Sequence, residues 1–276
     1  FFFFFRIVDG TLDIEDVDVN LSFENGIGVD AQLVINQFKT INSNNGANHS
    51  LTHSIIGSPI NINRATQTNS VPEVNYTSYS NLLTTSNSNI DNLIEIFPNK
   101  LQYDINLLIN PFGNISGSND FIFKKHPLKT KLNVEFPLSI VASNLTLVDT
   151  SDFNLELNSS GQILEGKLFI YADNGYPFSA DLSLQVLDEH SNVLKSFPVV
   201  NNIASAAVGA DLRVASNTKS VLTVPLTSSD VSALYAAKKI VFKVAFNTTA
   251  QPQFIKIYDG YTIGLKVVAD FAYQIN

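Results

Sequence analysis

The chain has 276 residues, 45% of them hydrophobic and only 15% charged, with a formal net charge of −8. This composition excludes a disordered chain, which needs low hydrophobicity and high charge. The net charge also argues against a nucleic-acid binder, whose phosphate contacts need clustered Lys and Arg. On a prior of roughly 150 residues per domain, the length predicts about two domains.

Cys, Met and Trp are absent. Without Cys there is no disulfide scaffold, thiolate metal site or thiol nucleophile. A primary translation product begins with Met, so a processed or partial chain is expected, with room for a targeting segment ahead of residue 1. The run Phe1 to Phe5 has no signal-peptide pattern and is set aside from the fold argument. No stretch approaches ~18 consecutive apolar residues, so no transmembrane helix is expected. Abundant Asn, Ser and Thr, with Lys exceeding Arg, match the style of exported proteins from AT-rich genomes.

In chain order, Asp16 to Glu24 alternates strictly, with Val17, Val19, Leu21 and Phe23 on one face and acidic or polar residues on the other. That is the period of a half-buried strand. Asn25-Gly26 then reads as a hairpin turn, with Val29, Ala31, Leu33 and Ile35 returning. The polar stretch Thr40 to Ser88 is expected to be a long and partly mobile excursion. Ser88 to Phe97 carries Ile90, Leu93, Ile94 and Phe97 as a helical stripe, stopped by Pro98. Three strands are expected after it: Leu101 to Ile109, Phe121 to Phe123, and Leu132 to Ile140.

The same order then recurs. Leu168, Ile170 and Ala172 lead to Asn174-Gly175, and Ala180, Leu182, Leu184 and Val186 return. The step of 149 residues from Asn25 to Asn174 also carries Leu33 to Leu182 and Arg64 to Arg213. Asp188 to Ser229 is a shorter excursion holding a strand at Ser220 to Leu226. Ser229 or Asp230 is expected to cap a helix over Val231 to Ala237, with Lys238 and Lys239 at its carboxyl end. Strands at Ile240 to Phe246, Phe254 to Ile257 and Ile263 to Ile275 follow.

These periods predict a mainly β protein of two tandem units, each a β-sandwich or curled antiparallel sheet with one short helix. The units are expected at residues 6–147, with the excursion 40–88, and at 148–276. The Ser-, Asp- and Asn-rich run Val148 to Gly161 is expected to link them.

No catalytic constellation is visible. The acids Asp9, Asp13, Glu15, Asp16 and Asp18 lack the calcium-loop spacing. His49 and His53 stand four apart, but in a stretch of little helical character and without a third ligand. No nucleophile elbow, phosphate loop or dinucleotide fingerprint occurs. Seven N-x-[ST] sequons occur, as chance predicts in so Asn-rich a chain. The expectation is a non-enzyme with no catalytic residue, no metal and no cofactor. Aromatic residues crowd the second unit, and Tyr171, Tyr176, Phe178, Tyr258 and Tyr261 are the candidate ligand or partner contacts. The competing reading is ordinary core and strand aromatics.

Asp9-Gly10-Thr11-Leu12 with the following Asn-Gly, Ile109-Asn110-Pro111 and Lys256 to Tyr261 (K-I-Y-D-G-Y) carry a resemblance. With the closing alternating strand, they resemble uncharacterised cell-envelope lipoproteins of the Bacteroidota. The N-P and strand pattern is also similar to late-embryogenesis, water-stress β-sandwich domains. The first resemblance implies export and outer-membrane association, periplasmic or at the surface, through a lipidated Cys upstream. Neither family brings catalytic residues. A structural or interaction subunit of an envelope assembly is therefore expected, with other envelope proteins as partners and no nucleic acid. The alternatives are a lipid-binding or lipid-transfer protein with an apolar groove in each unit, and a carbohydrate-binding module.

Overall fold

The computed structural model describes residues 7–69, 73–156 and 161–275; the run Phe1 to Phe5 lies outside them. The first elements are β1 (Ile7–Ile14), β2 (Asp18–Asn25), β3 (Ala31–Ile41), β4 (Asn48–Ser50) and β5 (Pro59–Ile62). They are followed by β6 (Thr66–Gln67), β7 (Val74–Asn75), β8 (Thr77–Thr84), α1 (Ile90–Glu95), β9 (Lys100–Ile109) and β10 (Leu128–Glu135). Next come β11 (Ser139–Asp152), β12 (Gly161–Asn174), β13 (Phe178–Leu187), β14 (Val193–Phe197), β15 (Ala207–Val208) and β16 (Val214–Ser216). The chain closes with β17 (Thr218–Leu226), α2 (Ser228–Ala236), β18 (Lys239–Thr248), β19 (Ile255–Lys256) and β20 (Ile263–Ile275). The protein is mainly β, with several antiparallel sheets and two helices, consistent with a β-sandwich.

The chain divides into two compact units, Ile14–Pro137 and Leu138–Asn276, the second also taking in β1 as far as Asp13. The boundary thus falls earlier than the expected 147/148. Val148 to Asp152, expected within a linker, instead ends β11. Leu145 to Asp152 pair antiparallel with Phe246 to Lys239 of β18. Polar Asp149 and Ser151 are accommodated because backbone pairing does not depend on the side chain, and both lie toward the exposed end of the strand.

In the first unit one sheet has the order β10-β2-β8, while β3 forms the centre of the other, paired by β4, β5 and β9. Val19 and Phe23 of β2 are buried, as are Leu33 and Ile35 of β3, Ile60 and Ile62 of β5, and Leu83 of β8. Ile90 and Leu93 of α1 join this core. In the second unit the corresponding sheets are β20-β12-β17 and β1-β11-β18-β13-β14, with β19 also on β11. Leu184, Val186 and Phe197 from one sheet meet Val224 and Leu226 from the other, with Val231 and Ala237 at α2.

The Asn-Gly segments are not hairpins. β2 pairs with β8 and β10, whereas β3 pairs with β4, β5 and β9. Likewise β12 pairs with β17 and β20, and β13 with β14 and β18. Each Asn-Gly therefore begins an arch that carries the chain from one sheet to the other. The buried Asn side chain holds the arch closed. Asn174 Nδ2 donates to the carbonyls of Phe178 and Ala204 at 2.9 Å each, and its Oδ1 accepts the Tyr176 N–H at 2.9 Å. Asn25 repeats this pattern, donating to Asn63 O at 2.9 Å and Val29 O at 3.3 Å, and accepting from Ile27 N–H at 2.9 Å.

The following glycines serve close approach rather than positive φ. A Cβ on Gly26 would stand 2.6 Å from the Tyr76 ring and 2.8 Å from the His126 carbonyl. One on Gly175 would stand 2.8 Å from the Thr262 carbonyl.

Three further expectations change. The excursion after β3 carries β8, a full-length partner of β2 from Asp18↔Thr84 to Asn25↔Thr77. Phe121 to Phe123 is not a strand; it crosses the arch, where Gly28 N–H donates to Phe121 O at 2.9 Å. The cap of α2 is Thr227, while Asp230 sits at the third helical position and accepts from the Thr227 N–H at 2.9 Å and hydroxyl at 2.7 Å. This reciprocal arrangement suits a capping box, for which Asp is short but sufficient.

Candidate functional site

Four of the five candidate aromatics come together at the arch end of the second unit. Tyr176 stacks on Phe178 with centroids 5.0 Å apart, and meets Tyr261 edge-on at 6.0 Å. Tyr261 meets Tyr258 edge-on at 5.5 Å, and the Arg213 guanidinium lies over the Tyr258 ring at 4.7 Å. Phe178 continues the chain of rings inward to Phe246 at 5.2 Å. The arch places Tyr176 and Phe178, and the turn before β20 supplies Tyr258 and Tyr261. The β15–β16 ribbon is tied to them, because Val214 N–H donates to the Tyr261 hydroxyl at 3.1 Å. All four rings are half-buried. Tyr171 does not join them. It lies on β12 between Val221 and Lys266, with its side chain exposed.

The first unit has a similar cluster that the sequence reading did not single out. The Tyr76 hydroxyl is 2.9 Å from His126 Nδ1, and their rings meet edge-on. Phe123 packs edge-on against His126 and at a tilt against Phe121, with centroids 5.1 Å apart. Lys129 lies over Tyr76, as Arg213 lies over Tyr258. Arg64 bridges to Asp120 at 2.9 Å and donates to the Asn119 carbonyl at 2.7 Å. The Ser116 hydroxyl and the Arg64 guanidinium hold the Asp120 carboxyl below its ordinary range, against a smaller effect of burial. Lys125, hydrogen-bonded to Glu73, lowers that carboxyl too. The signal available in sequence was the shared step of Arg64 and Arg213 together with aromatics near each unit's end.

The acids and histidines weighed as metal ligands take other parts. His53 Nδ1 accepts the Ile55 N–H at 3.1 Å and so shapes a turn, and His49 is exposed on β4. Among the described residues no three His, Asp or Glu groups gather as a metal would require. The buried Asp230 is opposed by desolvation. Lys195, 2.8 Å away, and the Thr227 hydroxyl and N–H nevertheless hold its carboxyl below the ordinary range. The Lys195 contact is an ion pair with a poor hydrogen-bond angle, since Asp230 Oδ1 makes no well-directed bond.

A second feature covers more surface. In register, Leu107 of β9 lies opposite buried Leu33, and Ile105 opposite buried Ile35. These β9 residues therefore share the core-facing side of their sheet. Yet every residue of β9 is exposed, with Tyr103 at 63% and Ile109 at 70%. Leu132 and Val134 of β10 repeat this opposite Leu21 and Val19. In the second unit Leu265 and Val267 of β20 do so opposite Ala172 and Ile170. In each unit the apolar face of a sheet extends beyond what the opposite sheet covers. Beneath α2 there is also an apolar cavity of about 190 Å³, lined by residues such as Phe153, Leu184, Leu234 and Phe271.

No protein-family model matches the chain, and no curated protein matches it either. Among solved structures it is similar to a Parabacteroides distasonis protein thought to be secreted. The TM-score is 0.39 and the identity 14%, over 94% of this chain and 75% of that one. It is also similar to the infectious bursal disease virus VP2 subviral particle (TM-score 0.23, 7% identity, 96% of this chain and 57% of that one). The structure of the Gx strain of that virus gives the same TM-score at 9% identity, with the same coverage. All these TM-scores lie below 0.5.

Proposed function

We propose that this chain is a non-enzymatic interaction or structural subunit of the cell envelope, docking through the uncovered strand faces of its units. One observation carries the reading: β9, β10 and β20 present apolar residues on the core side of their sheets and leave them in water. Contiguous exposed apolar surface rimmed by polar residues marks interaction sites in soluble domains. An outer-membrane assembly is the setting that the sequence resemblance implies. Crosslinking in intact cells followed by affinity capture should recover the chain with other envelope proteins. Recovery of the chain alone and monomeric would sink the reading.

The same faces favour lipid binding as the second reading. The cavity beneath α2 is smaller than the ~300–1,000 Å³ typical of ligand pockets, so an acyl chain would lie along the open faces instead. Native mass spectrometry would show co-purified lipid, and its absence would remove this alternative. The aromatic cluster does not favour a sugar platform, because its rings spend their faces on one another and on Arg213.

A further inference from the structure

The two units treat one sheet edge differently. β18 stands in the second unit where β9 stands in the first: each follows the helix and pairs antiparallel with the strand that leaves the arch. The far edge of β18 is occupied by β11, which lays Leu147 opposite Val244 and Leu145 opposite Phe246. Among the described residues β9 pairs with β3 alone, so its far edge carries no strand. The second unit thus shows which occupant suits this position: an antiparallel strand with apolar residues at alternate places.

We infer that β9 of a second copy of this chain fills that edge, forming a two-fold dimer with Ile105 at the axis. The inference rests on the docking function proposed above and names its partner. An isologous contact requires a strand that complements itself, and β9 does so with Ile105 on the axis. With Ile105 opposite Ile105, Tyr103 faces Leu107 and Leu101 faces Ile109, so all five core-side residues stay on one face. On the other face Asp104 meets Asn106 and Gln102 meets Leu108, and no like charges oppose. A slip by one residue would set the two faces of the strand against each other. β9 also lacks common devices that keep edge strands apart: it has no Pro, and its single Lys, Lys100, stands at its very end.

The test uses the natural absence of Cys. Ile105→Cys oxidised in solution should give a covalent dimer roughly ten-fold faster than Asp104→Cys, whose partner in this register is Asn106. Sedimentation of the unmodified chain should show a dimer whose share rises with protein concentration. Leu107→Lys should weaken it at least about ten-fold. Leu107 is exposed, so thermal unfolding of that variant should match the parent and exclude misfolding. A monomer throughout, equal crosslinking of the two Cys variants, or a dimer indifferent to Leu107→Lys would overturn the inference. A monomer that still captures envelope proteins would overturn it while leaving the docking function standing.

Discussion

Replacing Asn174 tests whether the Asn-Gly segments are arches clamped by a side chain or turns chosen for backbone freedom. Asn174 is 1% exposed and serves three backbone groups: the carbonyls of Phe178 and Ala204 and the N–H of Tyr176. At about 1 kcal/mol net for each bond, Asn174→Ala should cost about 3 kcal/mol. Asn174→Asp should cost more, because a carboxylate cannot donate and would face two carbonyl oxygens. Equilibrium urea unfolding is the assay. With a slope of ~1–3 kcal/mol per molar, the midpoint of the second unit should fall by roughly 1–3 M. Asn25→Ala, measured in parallel, assigns each transition to its unit, since two units need not unfold as one. Asp or Gly at position 174 within about 1 kcal/mol of the parent would refute the clamp, since a turn chosen for φ tolerates both residues.

Gly175→Ala should destabilise by ~1–3 kcal/mol in the same assay, because its Cβ would press on the Thr262 carbonyl, which is backbone and yields little. Tyr261→Phe should cost about 1 kcal/mol by removing the acceptor of the Val214 N–H. Asp230 has a lowered folded-state pKa, so its contribution is complete above its unfolded value of about 4 and is lost as pH falls through the lower folded value. Urea midpoints measured down a pH series should therefore show a smaller acid-side loss for Asp230→Asn than for the parent. A midpoint change from this group between about pH 5 and 7 would contradict that sign.

Much of the fold was legible because burial writes a period into sequence. Val17, Val19 and Phe23 announce a one-sided strand, and Ile90 and Leu93 announce the inner stripe of α1. The period names a face but not a partner, so the same residues fit a hairpin and an arch equally well. Only Asn25 and Asn174, whose spacing to the next strand leaves room for more than a two-residue turn, hinted at the difference. β8 was hidden because Thr77 to Thr84 buries only Leu83 and is held by backbone pairing to β2. The helix cap was missed by two residues because Thr227, Ser228, Ser229 and Asp230 are all good caps by type. Of the candidate aromatics, Tyr176 and Phe178 meet Tyr258 and Tyr261 through strand order, which no local pattern encodes. Tyr171 points elsewhere because strand residues alternate.

The arches also fix when each unit can fold. β2 enters its sheet between β8 and β10, so Asn25 finds its neighbour Leu128 only after nearly all of the first unit has been made. β12 likewise closes on β20 at the end of the chain. Such distant pairings are slow, and they leave strand edges unpaired meanwhile. A nascent chain interrupted after β9 would leave the edge of β2 that β10 covers unpaired. Carboxyl-terminal truncations that remove β10 or β20 should therefore aggregate rather than yield smaller folded pieces.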